Sequence, residues 1–244
     1  DDRHSAVRLC APKLFFQTSS LRPIVEEKHS FYRRLLRLIP FIEEQPMRHF
    51  LLILIFPLFT AIYASETDGL VERMKDSYAR EAAGDYRGAF TALGTIRRGQ
   101  AQEYLLQLRS GWLLHCLGHY EAATNAYKAA TLVAPQSTEA KLGLILPLIA
   151  SETWDEVERV AQLILRNDPH NVTANRWLAE ANLAQGHPRE ASNLAEHLSE
   201  RFPADPTIME LLARSRSARM DRTGAREAYQ RLLLLSPNNV AALS

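Results

Sequence analysis

Apolar residues along most of this chain fall three and four places apart, the spacing that gathers them on one face of an α-helix. No stretch alternates apolar and polar residues as a half-buried strand does. Residues 104–137 show the pattern most clearly. Leu105, Leu108, Trp112 and Leu113 form the stripe of a first helix, Gly118 ends it, and Ala122, Ala123, Ala126, Tyr127 and Ala130 form the stripe of a second. Pro135 stops that second helix, because its ring removes a backbone donor and disfavours helical geometry one residue earlier. The pattern predicts an all-α chain built from helix-turn-helix pairs.

The same punctuation returns at a fixed interval. Pro135, Pro169, Pro203 and Pro237 are each 34 residues apart. Stepping by that period from the turn Gly118-His119-Tyr120 reaches Gly84-Asp85-Tyr86 on one side and Glu152-Thr153-Trp154 and Gly186-His187-Pro188 on the other. A small residue follows each turn at the same offset, as Ala89, Ala123, Val157, Ala191 and Ala225. Five units result: 70–103, 104–137, 138–171, 172–205 and 206–239, with 240–244 read as the start of a truncated sixth. Thr153 with Glu156 fits a capping box, and Asp205-Pro206 fits a cap followed by proline in the first turn. Gly111 and Ala123 are small where paired helices approach each other. Pro147 falls inside a first helix, where a kink is expected, and Gly143 four residues earlier relieves its steric clash.

One segment stands outside the periodicity. Met47-Arg48-His49 precedes the uncharged run FLLILIFPLFTAIYA (50–64), whose 15 residues would reach about 22 Å as a helix, short of a hydrocarbon core of about 30 Å. A basic start, an apolar middle and Ala64 before Ser65-Glu66 match a secretory signal cleaved after Ala64. The expectation is a signal peptide at 47–64 and an exported product, periplasmic or secreted. The alternative is a chain anchored by an uncleaved signal, with Arg33, Arg34, Arg37 and Arg48 holding the N-terminus inside. Residues 1–46, which precede the first Met, are read as a non-native or disordered upstream segment.

Composition narrows the function classes. Of 244 residues 46% are apolar, enough for a sizeable core, and 29 Lys and Arg against 28 Asp and Glu leave no basic footprint for nucleic acid. The charge divides as 9 basic against 6 acidic residues up to Ala64 and 20 against 22 beyond it. The part beyond Ala64 is mildly acidic, and the signal expected at 47–64 implies that the membrane is met only during export. Cys116 is the single cysteine after residue 64, so no disulfide can form within that part.

The GHYEAATNAYKAATLVAP run (118–135) and AGDYRGAFTAL (83–93) carry a family resemblance: the chain resembles the tetratricopeptide repeat family across 70–239. It departs from that pattern at Ala101 in place of the proline, at the third turn, which lacks glycine, and at Met220 and Arg222 of the fifth unit. The resemblance implies an α-solenoid of stacked helix-turn-helix repeats whose first helices line a concave groove that binds a protein or peptide segment. The groove places then hold Val71, Met74, Tyr78, Leu105, Leu108, Trp112, Leu142, Leu146 and Ile149 in the first three units, and Arg176, Glu180, Glu210 and Arg214 later. An apolar half beside a charged half suits an amphipathic helix or an extended segment with large side chains. The chaperone-carboxylate clamp of some family members does not fit, since its places hold residues such as Leu108, Trp112 and Glu139.

No catalytic constellation competes with a binding role. His115 and His119 flank Cys116 near a metal-ligand spacing, but the Gly118 turn breaks it. No Ser-His-Asp order, carboxylate pair, Gly-rich phosphate loop or CxxC stands out, so neither enzyme chemistry, metal nor cofactor is expected. The arginines of the last unit, from Arg214 to Arg231, are interleaved with Glu210, Asp221 and Glu227 and read as a solvated mixed-charge face. The sequence thus predicts an exported scaffold or adaptor in envelope assembly or export. Two other readings stay open: the recognition arm of a larger enzyme with a catalytic domain beyond residue 244, and self-association through an open C-terminal end.

Overall fold

The computed structural model describes residues 69–94 and 103–239. The expected signal at 47–64, the upstream residues 1–46, Ala101 and residues 240–244 lie outside the described residues. Among the described residues there are ten helices and no strand: α1 (69–82), α2 (Tyr86–Ala92), α3 (Glu103–Cys116), α4 (Tyr120–Val133), α5 (Thr138–Ala150), α6 (Trp154–Leu165), α7 (Val172–Ala184), α8 (Pro188–Arg201), α9 (Pro206–Ala218) and α10 (Arg222–Leu235). Second helices begin at Tyr86, Tyr120, Trp154, Pro188 and Arg222, each 34 residues after the last, and first helices at Thr138, Val172 and Pro206 keep the same step.

The chain forms two compact units, one through Gly118 and one from His119. In the first, Leu70, Ala89, Leu93, Leu106 and Leu113 make a small core, with Met74, Tyr86, Phe90, Leu105 and Trp112 packed against it. In the second, every helix from α4 to α10 packs on the next in sequence. The small residue after each turn is the contact point: Ala89, Ala123, Val157, Ala191 and Ala225 are all buried. A seam shared by successive hairpins is the expected solution for helices that cannot hide an apolar face alone.

Local chemistry explains the joints. Asp85, Ser137, Asn171, Asp205 and Asp221 cap their helices, each side chain accepting from a backbone N–H of the first turn. The capping box expected of Thr153 and Glu156 does not form. The Thr153 hydroxyl donates backward to the Leu148 carbonyl at 3.0 Å, and Glu156 pairs with Arg159 at 2.6 Å. That pairing, through a hydrogen bond from Arg159, holds the Glu156 carboxyl below its usual range. Pro147 is buried inside α5, which runs unbroken from Thr138 to Ala150. Gly143 has a packing role there as well, since a Cβ at that position would lie 2.2 Å from Cε1 of Tyr127 on α4.

Between first and second helices the backbone turns through a left-handed residue. Gly84, Gly118 and Gly186 take φ of 79°, 77° and 80°, and the two non-glycine turns conform to them: Glu152 sits at 54° and Met220 at 65°. The outer-helix geometry is therefore kept in the third and fifth units at the expense of local strain.

Candidate functional site

In the first unit the candidate residues are organised by one buried arginine. Arg109 of α3 is 1% exposed in its side chain and ion-pairs with Glu81 of α1. Its Nε donates to the Ser77 hydroxyl and its Nη2 to the Ser77 carbonyl, both at 3.2 Å. The guanidinium also lies 3.9 Å from the centre of the Tyr78 ring. Glu81 closes the network by accepting the Trp112 indole N–H at 2.6 Å. Tyr78 and Trp112 are thus held by a shared charged pair, and Tyr78 remains 38% exposed.

In the second unit the first helices make a common face. Besides packing on their sequence neighbours, α5 touches α7 and α7 touches α9, and no two second helices are in contact as close. The face formed by the closer-spaced helices is the concave one. Leu142, Arg176 and Glu210 occupy the fifth place of α5, α7 and α9, and Leu146, Glu180 and Arg214 the ninth. Leu142, Leu146 and Ile149 are half-buried. Arg214 Nη1 donates to both oxygens of Glu180 at 3.1 Å, one repeat away. Glu210 accepts from Asn239 Nδ2 at 2.9 Å. Arg176 stacks on Trp177, its Cζ 4.4 Å from the ring centre, and burial pushes its guanidinium below the usual arginine range while Glu180 and Asp205 partly restore it.

Residues 148–215 match the tetratricopeptide repeat family. The fold is similar to that of several solved MamA structures. A double mutant of MamA RS-1 aligns at a TM-score of 0.63 with 15% identity, over 71% of this chain and 97% of that one. MamA from residue 41 to its end, of Desulfovibrio magneticus RS-1, aligns at 0.63 and 15%, over 71% and 98%. MamA MSR-1 aligns at 0.58 and 16%, over 70% and 98%. The fold is a tetratricopeptide-like α-solenoid. At such identities the likeness is one of architecture. No curated protein matches the chain in sequence.

Within that solenoid the sequence-derived groove residues fall into four groups. Tyr78, Leu142, Leu146 and Ile149 sit at least partly accessible on first helices, and Leu105 and Trp112 are half-buried against the core of the first unit. Arg176 and Arg214 lie on the concave face of the second. Leu108 departs from the expectation. It is 2% exposed, so it belongs to the interior and offers nothing to a partner. Arg109, Ser77 and Glu81 were not legible as site residues, since an arginine at a helix place usually reaches solvent. The available signal was Arg109 lying inside the apolar stripe of α3. Among the described residues no group of His, Cys, Asp and Glu could hold a metal ion, and no helix is long and apolar enough to cross a membrane.

Proposed function

We propose that this protein is an exported scaffold that holds a protein or peptide partner against the inner faces of its first helices, in envelope assembly or export, without chemistry of its own. The carrying observation is the concave face of α5, α7 and α9, where Leu142, Leu146 and Ile149 lie beside a charged set of Arg176, Glu180 and Arg214. Accessible apolar side chains next to fixed charges form the anatomy of a recognition surface, with apolar anchors for affinity and charges for register. The tetratricopeptide match over 148–215 supports a binding role for that surface. The export half rests on the basic, apolar and small-residue layout of 47–64, with cleavage after Ala64.

Affinity capture with the full chain, compared with its Leu142→Asp and Leu146→Asp variants, tests the binding half. Loss of the same prey from the variants, with melting unchanged, is the expected result. Identical prey from all three would place recognition on another surface. N-terminal sequencing of the native product tests export, and a start at any residue before Ser65 would remove the cleaved-signal reading.

A further inference from the structure

Arg176 is the residue on the concave face of the second unit whose own surroundings leave it incomplete. Its Nε is buried with no hydrogen-bond partner. No ion pair or hydrogen bond to its guanidinium exists among the described residues, although the guanidinium lies over the Trp177 ring. The nearby acidic groups each hydrogen-bond another partner: Glu180 gives both oxygens to Arg214, one oxygen of Asp205 caps α9 through Thr207 and Ile208, and one oxygen of Glu210 accepts from Asn239. A desolvated cation with a planar, pre-oriented fork and unused donors is matched by a carboxylate.

We propose that Arg176 receives the side-chain carboxylate of an Asp or Glu within an extended segment of the partner, while an aliphatic residue of that segment lies on Leu142 and Leu146. This rests on the groove reading above and adds the chemistry of what is read. Leu142 and Arg176 hold the same place on neighbouring first helices, whose axes lie about 8–10 Å apart. An extended chain rises about 3.3 Å per residue, so the aliphatic and acidic residues are separated by about three positions.

The test uses the full chain and an array of N-acetylated, C-amidated decapeptides. Each carries one leucine and one glutamate at varied separation and in both orders, the other positions being randomised, with a Glu→Gln counterpart for every peptide. Binding is expected to peak near a separation of three and to fall about tenfold for the glutamine peptides and for the Arg176→Gln chain, the loss typical of a charge-assisted hydrogen bond. Thermal melting checks that this variant folds. If it does not, Arg176→Lys is read instead, and it is expected to bind less than the parent because it keeps the charge but loses the fork. Binding that ignores glutamate and Arg176 but disappears in Leu146→Asp overturns this proposal and leaves the groove reading standing. Stronger binding of free C-terminal carboxylates than of internal glutamate also overturns it. An array that the chain does not bind at all overturns both.

Discussion

Glu152 and Met220 show how far a single backbone position can be forced by its neighbours. Both hold a left-handed φ where three other turns use glycine. The strain at such a position is about 1–2 kcal/mol, offset in part by the smaller unfolded-state entropy of a non-glycine residue. Glu152→Gly and Met220→Gly are each expected to raise stability by about 0.5–1 kcal/mol in chemical denaturation. Their effects should add, since they lie in separate turns. Gly143→Ala runs the other way, because the new methyl meets the Tyr127 ring, and a loss of about 1–3 kcal/mol in the same measurement is expected. His115 adds a pH dependence. It is buried, and desolvation lowers its pKa from the ordinary 6.5. The unfolded chain therefore takes up a proton at this residue before the folded one does. Its contribution to stability is complete above pH 6.5 and is lost as the pH falls from there toward the depressed folded value. A denaturant midpoint that declines on mild acidification, and a shallower decline in His115→Gln, are the expected results.

At the scale of helices, α1 is joined to α3 by the Arg109–Glu81 pair as well as by a small apolar core. Removing one partner of a buried pair strands the other, so Arg109→Ala is expected to cost about 3–5 kcal/mol by denaturation. Arg109→Met combined with Glu81→Gln should cost clearly less than that single change. The helices themselves were readable in the sequence for definite reasons. Proline cannot continue a helix, and a small residue is required where a hairpin closes, so Pro135, Pro169 and Ala123 carry their meaning locally. Asp205 likewise accepts from the N–H groups of the turn it precedes. The site was legible only in part. The repeat register puts Tyr78, Trp112 and Leu146 on first helices, where they lie, but the Arg109 network joins residues 28 and 32 positions apart, and no local rule pairs them. Leu108 was misjudged because a helix stripe does not say which of its members meets another layer. Thr153 does not cap because its hydroxyl is turned back to donate to the carbonyl of Leu148 and accepts from no N–H of α6.

For the molecule as a whole, the governing fact is that contacts in the second unit run from each helix to the next and little further. Stability in such an arrangement is close to a sum of neighbouring interfaces, so different helices open at different free energies. Helix α7 is flanked by α6 and α8 and touched by α5 and α9, whereas α10 packs on α9. Native-state hydrogen exchange should therefore show α10 amides opening more readily than those of α7, and equal protection would contradict local additivity. Solvent already reaches α10, where Leu234 is 85% exposed. The pair formed by Glu180 and Arg214, set one period apart at the same helix place, bears on how such a gene can change. Unequal recombination that excised residues 172–205 would keep the reading frame and the apolar seam, yet Arg214 would face Leu146 across the new joint. The units are alike in outline but ordered by their inner charges, so losing or duplicating one copy alters what the surface recognises even when the chain still folds.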